Sequence, residues 1–233
     1  RGLLWVRVAT FGFLARVTFA TNSPGPEALV KLWEDHLKFE FQDGAKDSDK
    51  TMATMVEEPY VNHIPTMIGG VGKDPLRYFY HHHFIFTNPD MGITSVSRTI
   101  GSDQIVDEMI IEFNHTSRVD WMVPNVPPTG RNVKIPLVAI VRFAPNRDGE
   151  WKVAHEHLYW DQASVLHQLG VLDPASFSLP LDVTGQAQAD KALDPKSHPS
   201  NELLMRACGC EGAQCRLDEA CRADPSTAPK TEL

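Results

Sequence analysis

The chain has 233 residues, 42% of them apolar and 22% charged, which suits one globular domain with extensions. With 22 basic against 30 acidic residues the formal charge is −8, so the composition offers little to neutralise phosphates, and neither nucleic acid nor a membrane surface is an expected partner. Outside the N-terminus no apolar run reaches the ~18 residues of a membrane span, which excludes a polytopic membrane protein.

The first 25 residues carry Arg1, Arg7 and Arg16 and no acid. Such a segment reads either as an organelle-targeting peptide or as an extra packing element, so the expected location is cytoplasmic with mitochondrial as the alternative. Ser23-Pro24-Gly25-Pro26 breaks the chain, and Ala28, Leu29, Leu32, Trp33 and Leu37 then recur at helical spacing over 27–41. Residues 42–50 are polar and read as a loop, and Met52, Met55 and Val56 suggest a second short helix. Ile68-Gly69-Gly70-Val71-Gly72 reads as a flexible turn, and Asp74-Pro75 as the start of a third helix with Leu76, Phe79, Tyr80 and His83 on one face.

After Asn88-Pro89-Asp90 the period changes to alternation. Residues 93–100, 104–116, 132–144 and 151–161 are rich in Val, Ile, Thr and aromatics and read as strands. A Pro-rich loop fills 122–130, and Asn146-Arg147-Asp148-Gly149 reads as a hairpin turn. Helical spacing returns over 161–169, with Gly170 as its stop. Residues 26–185 form the expected domain, and 186–233 a largely disordered tail holding all four cysteines, Cys208 to Cys221. The body thus has no disulfide and no cysteine nucleophile, which fits a reducing compartment. Helices followed by antiparallel strands argue for an α+β fold, and a curved sheet wrapped around the N-terminal helices would enclose a pocket.

The strand 151–161 is the richest in chemistry. Strict alternation puts Trp151, Val153, His155, His157, Tyr159 and Asp161 on one face, and Lys152, Ala154, Glu156, Leu158 and Trp160 on the other. If the first face lines the pocket, Asp161 is a desolvated base for a proton next to a carbonyl, and a His or Tyr can stabilise the oxyanion; if it faces solvent, these groups are merely solvated. His115 ends the strand 104–116, where carboxylates stand on both faces. His81-His82-His83 on a helix point three ways and cannot converge on one ion, so no metal and no cofactor are expected. No Gly-x-Ser-x-Gly elbow, phosphate-cradling loop or dinucleotide fingerprint occurs.

Asn114-His115-Thr116, Pro127-Pro128-Thr129-Gly130-Arg131, Gly149, the run His155-Glu156-His157-Leu158-Tyr159-Trp160-Asp161-Gln162 and the ending Gln168-Leu169-Gly170-Val171-Leu172 together resemble the SnoaL-like polyketide cyclases. These belong to the nuclear-transport-factor-two-like superfamily and are cousins of ketosteroid isomerase. The resemblance covers about residues 26–185. It implies a curved antiparallel sheet with three N-terminal helices around a conical pocket. It also implies Asp161 as general base of an intramolecular aldol closure, and a pocket-facing His115. Tyr60-Val61-Asn62-His63-Ile64-Pro65 and Asp120-Trp121-Met122 look more like a fungal and bacterial subgroup labelled carboxymethylenebutenolidase-like. A lactone hydrolase of the dienelactone type uses a Cys on another fold, and this body has none.

The expectation is a metal-free isomerase or cyclase acting on a small hydrophobic carbonyl compound, in a homodimeric protein. Asp161, His115 and His157 are its catalytic candidates, and Trp33, Tyr60, His63, Tyr80, Trp121, His155 and Tyr159 its ligand-binding ones. A non-catalytic binding or dimerisation domain and an ester or lactone hydrolase are the alternatives.

Overall fold

A computed structural model describes residues 24–176 and 182–203. The first 23 residues and the Cys208–Cys221 cluster lie outside the described residues, and so do the expectations attached to them. Helix α1 (Pro26–Phe41) starts with Pro26 in its first turn and Glu27 beside it, both suited to a helix N-terminus. Its buried stripe is Leu29, Trp33, His36 and Glu40, so an inward face that begins apolar ends in two ionisable groups. Helix α2 (Ser48–Ala53) is capped by Asp47, whose carboxylate accepts from the backbone N–H of Asp49 and Lys50 at 3.0 Å each.

Met55 and Val56 do not continue that helix; they open strand β1 (Met55–His63). The Gly-rich segment expected as a free turn is strand β2 (Ile68–Val71), paired antiparallel to β1. Gly69 is required there: at φ 146 a side chain would collide with the Val61 carbonyl. Helix α3 (Lys73–Phe79) runs into a π-helical turn, Tyr80–Phe84, that turns Tyr80 and Phe84 into the core. Strands β3 (Met91–Ile100), β4 (Gln104–Asn114), β5 (Asn132–Pro145) and β6 (Trp151–Trp160) follow as an antiparallel series. The order across the curved, open sheet is β2-β1-β6-β5-β4-β3, with β1 and β6 parallel. The fold is α+β, as the order of elements predicts.

Inward positions alternate as pleating requires: Ile105, Asp107, Met109, Ile111 and Phe113 on β4, and Val133, Ile135, Leu137, Ala139, Val141 and Phe143 on β5. Strand β6 breaks the alternation. Phe143 pairs with Val153 and Arg142 with His155, so Ala154 is an extra residue between them. This bulge moves the inward side from odd to even positions, leaving Val153, Glu156 and Trp160 buried.

Past β6, helix α4 (Gln162–Gln168) ends at Gly170, whose φ of 71 suits a helix stop. The Gln168 side chain accepts from the Lys134 N–H (2.8 Å) and donates to its C=O (3.2 Å), standing in for β6 where that strand has ended. Part of the expected tail is ordered on the domain. Helix α5 (Ala187–Leu193) packs on β5 with Ala189 fully buried and Asp190 2.6 Å from the Lys134 ammonium.

Candidate functional site

Between α1, the Tyr80–Phe84 turn and the inner face of the sheet lies a cavity of about 90 Å³. Most of its wall is apolar, from Leu37, Phe41, Val61, Phe84, Ile111 and Leu137 among others. Trp33, His63, Tyr80 and Trp121, all expected as ligand-binding groups, line it as well. Its charged wall residues include Glu40, Glu156 and Asp107.

Glu40 and Glu156 meet at His36. One turn of α1 brings His36 and Glu40 to the same face, and the β6 bulge turns Glu156 toward them. The His36 Nε2 is 3.0 Å from Glu40 Oε1 and 3.1 Å from Glu156 Oε1. Its other nitrogen, Nδ1, is 2.6 Å from the Thr54 hydroxyl. That hydroxyl donates to the Thr51 carbonyl (2.6 Å), so it accepts from His36, and Nδ1 carries a proton. Burial opposes a charge on His36, yet the two carboxylates hold its pKa up at about 10. It is therefore an imidazolium at neutral pH, stacked on the Trp33 ring at 5.4 Å.

The two carboxyls are pushed in opposite directions. Burial raises Glu40, and His36 only partly offsets this. Burial also pushes Glu156 up, but His36 and the Tyr80 hydroxyl, which donates to Glu156 Oε1 at 3.0 Å, bring it below its ordinary value. Tyr80 itself is raised, by its burial and by Glu156, and stays a phenol. The arrangement is two buried carboxyls pushed in opposite directions around an imidazolium. Glu40 Oε1 is buried with no aligned hydrogen-bond donor among the described residues. A second polar group on the wall is neutralised: Asp107 takes a two-pronged ion pair from Arg98 (2.6 and 2.8 Å) and a hydrogen bond from the Trp33 indole N–H (2.7 Å).

Several expected site residues stand elsewhere. Strict alternation along 151–161 is corrected by the bulge: His155, His157 and Tyr159 lie on the outer face with Tyr60, whose ring stacks on His155 at 4.5 Å. Tyr159 is 41% exposed and Glu156 only 3%, the reverse of the expected facing. Asp161 is exposed and does not line the cavity. It caps α4, accepting from the N–H of Ala163 and Ser164 (3.0 and 3.3 Å), the Ser164 hydroxyl (2.6 Å) and Gln188 (3.2 Å). Partial burial pushes its pKa up, but these hydrogen bonds bring it below normal. His115 is buried beneath the 115–130 loop, its Nδ1 accepting from the Thr129 N–H at 3.2 Å, and it does not reach the cavity.

The triplet behaves as its helical spacing predicts. His81 contacts Ser48, His83 pairs with Asp120 at 3.0 Å, and His82 lies against Tyr78. Among the described residues only His36, Glu40 and Glu156 bring metal-ligating atoms within 4.8 Å of one another, and the His36 proton occupies the point where they meet. Sequence reasoning missed His36 and Glu40, though their i, i+4 spacing on the Leu29–Trp33 stripe was visible.

No protein-family model matches the chain, and no curated protein matches it in sequence. Solved structures do. A ketosteroid isomerase-like protein from Catenulispora acidiphila, in complex with trimethylamine, is 10% identical with a TM-score of 0.45, over 64% of this chain and 98% of that one. A protein described as a SnoaL-like polyketide cyclase from Jannaschia is 19% identical with a TM-score of 0.46, over 62% and 94%. Among the solved structures similar to this chain are ones described as SnoaL-like and as ketosteroid isomerase-like. A third, from Mycobacterium tuberculosis in complex with estradiol-17β-hemisuccinate, is 17% identical with a TM-score of 0.39, over 57% and 92%.

Proposed function

We propose that the cavity binds a small, mostly apolar carbonyl compound and moves a proton on a carbon next to that carbonyl, as an isomerase or cyclase does. One observation carries this: two buried carboxyls on the cavity wall are driven apart in pKa around a single imidazolium. Such a split assigns acid and base. Glu156, held ionised by His36 and Tyr80, takes the proton from carbon. The electron pair moves into the carbonyl, whose oxygen gains negative charge. Glu40, raised by burial toward its neutral form, is the group that donates to that oxygen and can protonate it. When the enol collapses its O–H proton returns to Glu40, and Glu156 gives its proton to another carbon or, where the carbon attacks a second carbonyl and opens its π bond, to the alkoxide that forms, which restores both groups. His36 does not line the cavity; it positions both carboxyls from behind.

The test needs no natural substrate. In D2O, exchange of the α-protons of 2-tetralone, followed by proton NMR, should be faster with the protein than in buffer. Glu156→Gln keeps the shape and removes the base, so it should cut the protein-dependent rate by roughly 100-fold or more. A rate equal to that of buffer with the unaltered protein, under conditions where the ketone binds, would reduce the cavity to a binding site.

A further inference from the structure

His63 is a second polar group in the cavity wall, and the proton transfer above leaves it without a task. It ends β1, and its inward facing is fixed by the same alternation that buries Val61. Its Nδ1 lies 2.9 Å from the Ile68 carbonyl, which can only accept, so Nδ1 carries the proton and Nε2 a bare lone pair. Burial, only partly offset by that hydrogen bond, lowers its pKa to about 4, so the ring is neutral at working pH. Phe79, Phe84, Trp121 and Trp160 surround it at 4.9 to 6.0 Å between ring centres and offer no donor to the lone pair. Nε2 is buried with no hydrogen-bond partner among the described residues. A fold keeps such an orphaned acceptor only at a cost, unless something outside the chain supplies the hydrogen.

We infer that His63 Nε2 is the recognition point for a hydroxyl on the ligand, which makes the ligand class a hydroxylated, otherwise apolar carbonyl compound. This rests on the proposed proton-transfer site and adds a dimension to it. In the parallel pairing Val61 stands beside Glu156 and His63 beside Leu158, so His63 is one inward step along the sheet from the carboxylate. Two strand residues span roughly 7 Å. Closure of the His63 lone pair by a donor inside an aromatic box also discriminates strongly, because an analogue without the hydroxyl leaves the nitrogen unpaired.

The experiment compares 2-naphthol with naphthalene by fluorescence titration. The unaltered protein should bind 2-naphthol about tenfold or more tightly than naphthalene, the value of one hydrogen bond to a buried acceptor. His63→Phe should bind the two alike. Nitrogen-15 NMR of the unaltered protein gives a readout that does not depend on the variant folding. The His63 Nε2 resonance should sit at the position of a bare imine nitrogen, and move upfield with 2-naphthol but not with naphthalene. Equal binding of both by the unaltered protein, with the resonance unmoved, hands the lone pair to water and overturns the inference while leaving the cavity reading intact. A hydroxyl preference that survives in His63→Phe overturns it too. Binding of neither compound removes the cavity reading and this inference with it.

Discussion

Asp161 and Glu156 are five residues apart and occupy opposite environments, which makes them a direct contrast. Asp161 accepts four hydrogen bonds at the head of α4, and an Asn there serves almost as well as a cap. Asp161→Asn should remain folded within about 1 kcal/mol and keep the exchange rate of the unaltered protein. A 100-fold loss in that variant would return the base to Asp161 and remove it from Glu156. His36 gives a pH signature. Its folded pKa of about 10 lies above the ordinary value of 6.5, so the folded state holds a proton that the unfolded chain has released. Its contribution is complete below pH 6.5, declines from there, and is gone once pH rises through about 10. Melting temperature should therefore fall between pH 6.5 and 10. The fall should be shallower in His36→Gln, and an equal slope in both proteins would show that His36 is not charged in the fold. The i, i+4 pair His36 and Glu40 was legible as a helix face. Its partner Glu156 was not, because that depends on a strand's facing.

At the scale of elements, the extents of α1, β3 to β6 and α4 were legible in the sequence, and α1, β4 and β5 show why: each packs one face on the core and leaves a clear period. Strand β1 was obscured by Pro59 and two adjacent glutamates. It forms because β6 offers a parallel edge and β2 an antiparallel one, contacts distant in sequence. The bulge at Ala154 is equally invisible locally: only the pairing partner Arg142–Phe143 shows that one residue on β6 is surplus. A period-2 reading run through it puts every later side chain on the wrong face. Helix α5 was lost in a stretch poor in apolar residues, since it docks through one small residue and an ion pair. Ala189 has no exposed surface, so Ala189→Leu should overpack its contact with β5 and cost about 1–3 kcal/mol. A thermal melt indistinguishable from that of the unaltered protein would mean that α5 does not hold to the sheet.

The whole molecule converges on one point inside the sheet: α1 brings His36 and Glu40, the turn after α3 brings Tyr80, and the middle of β6 brings Glu156. No single stretch of chain carries the site, which is why a search for compact motifs settled on the outer-face histidines instead. The same convergence decides between a proton and a metal at its centre. A divalent ion bound by His36 Nε2, Glu40 and Glu156 has to displace a proton from a group whose pKa is about 10, and it has to do so where Glu40 is raised by burial toward its neutral form. Metal binding needs all three ligands deprotonated. Near neutral pH the proton holds the site, its charge balanced by Glu156. Overnight treatment with EDTA should therefore leave the melting temperature where it was, and added Zn²⁺ should not raise it. In a metal-held cluster the ion would hold the N-terminal helix to the sheet. Chelation would then lower the melting temperature by several degrees, as a loss of about 1 kcal/mol or more does for a domain of this size, and zinc would restore it. That result would turn Glu156 from a base into a ligand and replace the proton-transfer chemistry with that of the metal.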